Sequence, residues 1–308
     1  QVAEKIGQNL NKYVVVTTKS TVPVGTSQKV KKIIKRFYSD EFDVASCPEF
    51  LREGSAIEDF SKPDRIVYGT ESDRAARVLA EVHEKLDCEK ISTTVATSEM
   101  IKYASNAFLA TKISFINEMA NVCENTGADV TLVSKGMGLD SRIGPKFLNA
   151  GLGYGGSCFP KDVRALHHIA GQSGYPFQLL RSVIEVNNQQ RWNFYKKIRK
   201  ELGSLEDKTI GVWGLSFKPN TDDIRESIAI DLIEKLLEDG ARIKAHDPEA
   251  MKNTQELLKD NIEYCFSPEY AAEKVDCLLI ITEWDEFKKV DLNAIKSTMN
   301  SPIIIDGR

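Results

Sequence analysis

The sequence alternates apolar, β-branched runs with amphipathic helical patterns near both of its ends, and this alternation limits the fold more than any other feature. At the N-terminal end the run Tyr13–Thr18 precedes a helical pattern over 27–37. After Gly203 the alternation returns, with a strand predicted at 209–213 and a helix at 228–238. Continuous apolar strands that alternate with helices are typical of parallel α/β sheets covered on both faces.

Two long helical patterns lie between these alternating parts, at 98–126 and 177–202. They indicate an all-helical middle that separates two sheets. The sequence therefore predicts an α/β protein with two doubly wound parallel-sheet, Rossmann-like domains joined by a long-helix central region. Because the chain opens inside a helix-like stretch, we expect the first sheet to be truncated. The predicted domains are 1–96, 97–203 and 204–308.

Composition argues against several classes of function. The chain has 41 Lys plus Arg against 45 Asp plus Glu, a formal net charge of -4, which argues against a nucleic acid as the main partner. No apolar run of about 18 residues and no signal peptide are apparent, so we expect a soluble, cytoplasmic protein without a membrane partner. The six cysteines show neither C-x-x-C pairs nor zinc-ligand spacing, so neither a metal site nor a disulfide is predicted.

The strongest local signal is the glycine-rich segment 151–162, which leads through Cys158 into a helix whose first turn carries Pro160. Glycine backbone N–H groups and a helix N-terminus together favour a bound anion. The same field, with Lys161 beside it, favours the thiolate form of Cys158 and so predicts a nucleophile next to an anion site. The alternative is a common glycine-rich turn with an incidental cysteine.

Lys102 and Asn106 lie four residues apart in the first long helical pattern, so they share one face. A cation and an amide side by side can stabilise an oxyanion, although a lysine at this spacing is more often a solvated surface residue. Glu49 and Glu53 follow a predicted strand, at the edge where open α/β sheets bind ligands, and either carboxylate could activate water. An exposed loop carboxylate without a role is the alternative.

Two further segments follow predicted strands. The hydroxyl-bearing segment 19–26 includes Thr21 and faces the same edge as the two glutamates, unless it only caps a helix. Lys218 and Arg225 follow the first strand of the C-terminal part and are candidates to bind a diphosphate, with ordinary surface charge as the alternative. The four histidines give the cysteine no partner in a motif, which argues against a cysteine–histidine hydrolase.

Five motifs, taken in order, resemble those of a known enzyme family. They are Lys19–Pro23, Pro48–Leu51, Lys102 with Asn106, Gly155–Asp162, and Phe217–Lys218 with Arg225–Ser227. Their order, spacing and chemistry are similar to those of the nucleotide-sugar 6-dehydrogenases of the UDP-glucose/GDP-mannose dehydrogenase family. Ser157 and Phe159, on either side of the cysteine, resemble the UDP-glucose branch rather than the UDP-N-acetylmannosamine or GDP-mannose branch.

The resemblance implies two successive hydride transfers from C6 of UDP-glucose to two NAD molecules, which yields UDP-glucuronate. Cys158 would capture the intermediate aldehyde as a thiohemiacetal, and the second oxidation would convert this adduct to a thioester. Lys102 and Asn106 would stabilise the oxyanion.

The resemblance also implies roles in handling water, cofactor and substrate. Asp162 and Thr21 would orient water, and Glu49 would assist proton transfer or thioester hydrolysis. The residues similar to NAD contacts are Thr21, Glu53, Lys161 and Arg225. Those similar to UDP-sugar contacts are Glu49, Phe50, Leu51, Glu53, Lys102, Asn106, Arg142, Phe147, Leu148, Asn149, Gly151, Gly155, Phe217, Lys218 and Arg308. Arg142 resembles a residue that reaches the substrate of a neighbouring subunit, which implies a homodimer built on the central helices.

The sequence departs from the family at one element. No Gly-x-Gly-x-x-Gly follows a strand anywhere in the chain, and the family carries that dinucleotide fingerprint upstream of the position matching Gln1. We therefore expect these 308 residues alone to show little or no dehydrogenase activity. Two other interpretations stay open: a GDP-mannose or UDP-N-acetylhexosamine 6-dehydrogenase, and a truncated, non-catalytic UDP-sugar-binding dimer core.

Overall fold

A computed structural model describes residues 1–308. The chain divides into two compact units. The first comprises residues 1–107 and 168–175, and the second comprises 108–167 and 176–308. Each unit contains one β-sheet and its own hydrophobic core.

Nine strands and twelve α-helices make up the two units. The strands are β1 (Val15–Thr18), β2 (Asp43–Ser46), β3 (Arg65–Thr70), β4 (Glu89–Thr93), β5 (Thr209–Trp213), β6 (Arg242–His246), β7 (Glu263–Tyr264), β8 (Cys277–Ile280) and β9 (Ile304–Asp306). The helices are α1 (Val2–Asn9), α2 (Thr26–Ile34), α3 (Ala56–Ser61), α4 (Asp73–Val82), α5 (Val95–Thr126), α6 (Val130–Gly138), α7 (Phe159–Gln172), α8 (Gln178–Leu202), α9 (Ile228–Glu238), α10 (Met251–Leu258), α11 (Pro268–Ala272) and α12 (Leu292–Thr298).

The first unit is built on a four-stranded sheet in the order β1-β2-β3-β4. β1 pairs with β2 in parallel, and β3 pairs with β4 in parallel. β2 and β3 are antiparallel, with Ala45 opposite Thr70, so the expectation of an entirely parallel sheet is wrong at this pair. The reason lies in α3, which buries none of its residues and therefore does not pack on the sheet as a crossover helix would.

The second unit is built on a five-stranded parallel sheet in the order β7-β6-β5-β8-β9. The strand order reverses beside β5, which makes the carboxyl end of β5 the point where a doubly wound sheet binds its ligand. α9 packs its apolar face on β5 and β6, because Leu232, Ile233 and Leu236 join Ile210 and Val212 in one buried cluster. The α/β class with Rossmann-like sheets is confirmed.

Two long helices occupy the middle of the chain, as predicted. α5 has 32 residues and α8 has 25. α8 ends at Leu202 and is followed by Gly203, whose φ of 69° lies in the left-handed region that glycine adopts freely. None of the helices is both long and apolar enough to cross a membrane.

Candidate active site

In the first unit, the segments that follow β1 and β2 lie side by side at the carboxyl edge of the sheet. The backbone nitrogen of Cys47 donates to the oxygen of Thr18 at 2.9 Å, and that of Glu49 donates to the oxygen of Lys19 at 3.4 Å. Lys19 Nζ also lies 3.6 Å from Cys47 Sγ. These bonds join the segment that carries Thr21 to the segment that carries Glu49, because parallel strands end at the same edge.

Lys102 of α5 lies beside this edge and is not a solvated surface residue. Its side chain is buried, and Nζ lies 3.9 Å from Glu49 Oε2. The same nitrogen lies 5.2 Å from the centroid of the Phe50 ring, and the guanidinium of Arg65 lies 4.0 Å from that centroid. Asn106, one turn further along α5, is only 6% exposed. A buried cation, a buried amide and a carboxylate are therefore available in one unit for charge stabilisation and proton transfer.

One buried carboxylate in this region, that of Glu99, was not among the predicted site residues. Gly25 provides the N-cap of α2 and has no side chain to bond the first turn, which also lacks acidic residues. Glu99 supplies the missing acceptor from α5 and is 3% exposed. An acidic residue three positions before Lys102, opposite a helix that starts with glycine, is the only sequence signal for it.

The loop after β2 is held by contacts within itself. Glu49 Oε2 accepts a hydrogen bond from the backbone nitrogen of Leu51 at 2.8 Å. Asp59 accepts from the backbone nitrogen of Arg52 at 2.7 Å and from its guanidinium at 2.6 Å. The Arg52 guanidinium lowers the pKa of Asp59 to about 2. Glu53 lies inside this loop and is half-buried, while Leu51 is exposed.

In the second unit, Cys158 immediately precedes α7 and is exposed. Its carbonyl oxygen accepts from the backbone nitrogen of Asp162 at 2.9 Å, which is the first helical hydrogen bond of α7. Asp162 is buried, and its Oδ1 lies 3.3 Å from Lys161 Nζ. Ser157 Oγ lies 3.6 Å from Cys158 Sγ. The thiol thus lies at the predicted helix N-terminus, and it is open to solvent.

The other cysteines are placed differently. Cys47, Cys123, Cys265 and Cys277 are buried, and Cys88 is half-buried. Burial raises the pKa of Cys265 to about 11 and that of Cys277 to about 12. Cys158 is therefore the only exposed thiol among the six cysteines.

A pocket at the carboxyl end of β5 lies next to the cysteine segment. Gly151 lies against Arg308, which lines this pocket: a Cβ added at Gly151 would lie 2.7 Å from Arg308 Nη1. Arg308 Nε in turn lies 2.5 Å from Glu283 Oε2. Gly151 itself is fixed by Asn117, whose Oδ1 accepts from its nitrogen at 2.8 Å. The pocket is lined by Leu152, Gly153, Gly155, Ser216, Phe217, Ser227, Ile228, Ile281, Thr282 and Arg308.

The segment 147–149, predicted to contact the sugar nucleotide, is part of the same unit. Leu148 is buried, and its oxygen accepts from Ser134 Oγ at 2.6 Å. Phe147 has a φ of 65° and packs its ring edge-to-face with Phe159 at 6.1 Å. Asn149 is exposed. The segment therefore presents one polar side chain from a backbone fixed by packing.

The predicted cations of this unit differ in their surroundings. Lys218 is half-buried, with Nζ 5.6 Å from the centroid of its neighbour Phe217. Arg225 forms a two-point contact with Asp223, and Arg142 forms one with Asp140, each with a shortest distance between 2.6 and 2.8 Å. Both arginines are exposed, and the planar guanidinium of each pairs with a carboxylate two residues away.

The loop after β5 depends on Asp247, whose position the sequence did not single out. Its Oδ2 accepts hydrogen bonds from the backbone nitrogens of Leu215 and Ser216, at 2.7 and 3.0 Å, and from Trp284 Nε1 at 3.0 Å. These bonds fix the backbone that leads to Phe217. No group of three or more His, Cys, Asp or Glu side chains is arranged to hold a metal ion.

Comparison with protein families covers most of the chain. Residues 1–87 match the NAD binding domain of the UDP-glucose/GDP-mannose dehydrogenase family, residues 96–189 match its central domain, and residues 211–308 match its UDP binding domain. The chain belongs to the UDP-glucose/GDP-mannose dehydrogenase family. Its members are dehydrogenases, and the match to residues 1–87 identifies NAD as their cofactor.

Curated members of the UDP-glucose/GDP-mannose dehydrogenase family resemble the chain over nearly its whole length. UDP-glucose 6-dehydrogenase TuaD from Bacillus subtilis is 49% identical, over 99% of this chain and 67% of its own length. UDP-glucose 6-dehydrogenase from Rhizobium meliloti is 48% identical, over 99% of this chain and 71% of its own length.

Among solved structures, a UDP-glucose dehydrogenase from the hyperthermophilic archaeon Pyrobaculum islandicum superposes with a TM-score of 0.94 at 39% identity. The match covers 99% of this chain and 70% of that one. A UDP-D-ManNAc dehydrogenase from Pyrococcus horikoshii gives a TM-score of 0.87 at 24% identity, over 99% of this chain and 71% of that one, and shows the shared fold.

The residues of this family member fit one part of NAD. Hydroxyl and carboxylate side chains such as Thr21 and Glu53 follow the parallel strands β1 and β2, and this donor set suits a ribose. The start of α2 does not suit the pyrophosphate, because Glu99 already satisfies its N–H groups. The one Gly-x-Gly-x-x-Gly spacing in the chain, 151–156, does not follow a strand.

Proposed function

We propose that this protein oxidises C6 of UDP-glucose twice, to the carboxylate of UDP-glucuronate, with Cys158 as the nucleophile. The observation that carries the proposal is the exposed thiol of Cys158 at the N-terminus of α7, in a chain whose other cysteines are wholly or partly buried. Support comes from the relatives named UDP-glucose 6-dehydrogenase, which align over 99% of the chain.

The covalent steps belong to Cys158. Its sulfur adds to the aldehyde carbon C6, and the carbonyl oxygen takes the electron pair of the broken π bond, which gives a thiohemiacetal. Oxidation of this adduct leaves a thioester, and water releases the acid and the free thiol. When bound, NAD accepts a hydride in each oxidation, and Thr21, Glu53, Lys161 and Arg225 are the residues that we propose to hold it.

Charge stabilisation and proton transfer are assigned to polar side chains. We assign Lys102 and Asn106 to the oxyanion, because a buried cation and a buried amide stabilise negative charge better than exposed groups do. Glu49, which lies 3.9 Å from Lys102 Nζ, serves as the base for proton transfer and thioester hydrolysis. Thr21 and Asp162 orient the water that attacks.

The UDP-sugar is assigned to the pocket at the carboxyl end of β5 and to the loops with matching motifs. The proposed contacts are Phe50, Leu51, Glu53, Phe147, Leu148, Asn149, Gly151, Gly155, Phe217, Lys218 and Arg308. We further propose a homodimer through the central helices, in which Arg142 leaves Asp140 and reaches the neighbouring subunit's substrate.

The first test uses the thiol and the sugar nucleotide alone, so it does not depend on NAD binding. Iodoacetamide labelling of Cys158, followed by mass spectrometry, is expected to slow when UDP-glucose is present, because the bound sugar covers the thiol. The Cys158→Ala variant provides the unlabelled control. Labelling that is unaffected by saturating UDP-glucose would show that the sugar does not bind over the thiol, and would contradict the proposal.

A second experiment measures turnover and sugar choice. The protein is incubated with NAD and UDP-glucose, GDP-mannose or UDP-N-acetylglucosamine, while NADH and the sugar acid are quantified. These 308 residues alone are expected to form little NADH. The proposal predicts that the NADH that does form appears at two per UDP-glucuronate, with UDP-glucose as the preferred sugar nucleotide. Calorimetric binding of UDP-glucose with no NADH formation at all favours the binding core instead.

A further inference from the structure

Two glycines lead into Cys158, and neither has room for a side chain. An ideal Cβ at Gly155 would lie 2.2 Å from the backbone oxygen of Glu226. An ideal Cβ at Gly156 would lie 2.6 Å from Cε2 of Phe217, and the Gly156 nitrogen donates to the oxygen of Arg225 at 2.9 Å. The cysteine segment is therefore seated, backbone against backbone, on the turn formed by residues 225–226.

The turn adopts a backbone conformation that its residue type disfavours. Glu226 has a φ of 52°, in the left-handed region where a Cβ clashes with the following carbonyl. Such residues persist only where their surroundings hold them, and they concentrate at functional sites. The conformation of Glu226 thus calls for a contact that fixes it.

Arg164 provides that contact. Its Nη1 and Nη2 donate to the two carboxylate oxygens of Glu226 at 2.8 and 3.1 Å, which is the two-point geometry that a guanidinium and a carboxylate prefer. Arg164 lies on α7, the helix that begins directly after Cys158. These contacts form a closed ring. α7 connects Cys158 to Arg164, Arg164 pairs with Glu226, and the turn at 225–226 packs against the two glycines that precede Cys158.

Charges around Glu226 keep its carboxylate ionised. The hydrogen bonds from Arg164 lower the pKa of Glu226, and the nearby cation of Arg191 on α8 adds to the effect. Stability alone explains the pair poorly, because the side chains of Arg164 and Glu226 are 55% and 40% exposed, and exposed ion pairs contribute little to folding.

We propose that the Arg164–Glu226 pair is a positioning device for Cys158, which holds the sulfur where it can add to C6 of the aldehyde. This inference rests on the proposed function. Neither residue touches the reacting atoms; both act through the turn at 225–226 and the two glycines. In the step concerned, the S–C6 bond forms, the C6–O π pair moves to oxygen, and the thiol proton passes to a base.

The experiment compares the affinities of UDP-glucose and of its 6-aldehyde by calorimetry. The unchanged protein is expected to bind the aldehyde more tightly, because Cys158 adds to it, and Cys158→Ala removes this preference. In Arg164→Gln the preference is expected to fall by about tenfold or more, since a small misplacement of a reacting atom has effects of that size. The affinity for UDP-glucose itself stays near that of the unchanged protein.

Two further variants separate positioning from loss of folding. Arg164→Lys keeps the charge but not the two-point contact, so an intermediate preference is expected. Adding Glu226→Gly to Arg164→Gln is expected to restore part of the preference, because glycine adopts a φ near 52° without an ion pair to hold it. The matched control is Arg181→Gln, which removes an exposed pair with Glu185 within α8 at 2.8 Å.

The outcomes are distinguishable. If the unchanged protein shows no preference for the aldehyde, covalent capture by Cys158 is refuted, and the Arg164–Glu226 pair has no covalent step to position. If the unchanged protein shows the preference and Arg164→Gln keeps all of it, the positioning role alone is overturned.

Discussion

Glu99 Oε1 accepts hydrogen bonds from both the backbone nitrogen and the Oγ of Ser27, at 3.0 and 2.7 Å, in the first turn of α2. Its Oε2 accepts from the backbone nitrogen of Gly25 at 2.7 Å. A carboxylate in this position replaces the anion that a helix N-terminus would otherwise attract. The start of α2 is therefore closed to the phosphates of a bound nucleotide.

Glu99→Gln is expected to lower the free energy of unfolding by about 1–3 kcal/mol, because one amide group cannot accept from all three donors, two of which are in buried hydrogen bonds. Urea denaturation followed by circular dichroism measures the change. Ser72→Ala is the matched control, since it removes the Oγ that caps α4 at 3.3 Å from Ala75 N in the same unit. The control should cost about 1 kcal/mol. A Glu99→Gln protein as stable as the unchanged one would show that the cap is replaced by water.

Gly156 and Gly25 allow the backbone and steric effects of a methyl group to be separated. Both have positive φ, 77° and 90°, so alanine at either position costs about 1–2 kcal/mol of backbone energy. At Gly25 nothing lies within 4 Å of the added Cβ, whereas at Gly156 the ring of Phe217 lies 2.6 Å away. Gly156→Ala is therefore expected to be the less stable variant and to bind UDP-glucose more weakly, as measured by denaturation and calorimetry. Equal losses in the two variants would mean that the Phe217 ring moves freely.

The six cysteines are expected to react in two classes with a disulfide reagent such as dithiobis(nitrobenzoate). At about pH 8 the exposed Cys158 reacts first, because thiol exchange needs both access and thiolate. Burial raises the pKa of Cys265 to about 11 and that of Cys277 to about 12, so both stay protonated and inaccessible in the folded protein. The fast phase should vanish in Cys158→Ser, and all remaining thiols should react in guanidinium chloride. A fast phase that survives the substitution would assign the reactive thiol elsewhere.

Acid stability is expected to depend on Asp59. The Arg52 guanidinium lowers the pKa of this carboxyl from 3.8 to about 2. Because the folded state has the lower pKa, the contribution of Asp59 is fully present above 3.8 and is lost as the pH falls towards 2. Thermal unfolding of the protein and of Asp59→Asn over this range tests the prediction. The variant should lose less stability on acidification; identical pH profiles would contradict it.

Sequence periodicity predicted the second sheet better than the first. β5 and α9 have the predicted bounds, because a buried strand and an amphipathic helix each leave a clear apolar pattern. β4 was missed, since Glu89–Thr93 lies at the sheet edge with no fully buried residue. The antiparallel pairing of β2 with β3 was also missed, because an apolar run does not record the direction of its neighbour.

The candidate site could be predicted where its residues are close in the sequence, but not where distant residues meet. Local patterns identified Cys158, because a cysteine after several glycines and before a helix is a local feature. The contacts of Glu99 with Ser27 and of Arg164 with Glu226 join residues 72 and 62 positions apart. Spacing along a helix cannot reveal such partners, and only the folded chain brings them together.

Arg308 offers a test of where the diphosphate binds. Its side chain is 19% exposed, and Nε lies 2.5 Å from Glu283 Oε2 at the rim of the pocket beside β5. A guanidinium held in this way can donate its remaining N–H groups to a phosphate. Arg308→Gln is therefore expected to weaken UDP binding by about 1.5–3 kcal/mol, the range for hydrogen bonds to charged groups. Calorimetry with UDP and with uridine measures the loss.

The comparison of the two ligands identifies the group that Arg308 contacts. Uridine lacks the diphosphate, so its affinity should change little in Arg308→Gln if the guanidinium binds phosphate oxygens. Equal losses for UDP and uridine would instead assign Arg308 to the nucleoside or to the shape of the pocket. Arg242→Gln is the matched control, because it removes another arginine of the same unit, which pairs with Asp207 at 2.6 Å and is not part of the pocket. Raising the salt concentration should weaken UDP binding more in the unchanged protein than in Arg308→Gln, because the variant has one charge–phosphate contact fewer that salt can screen.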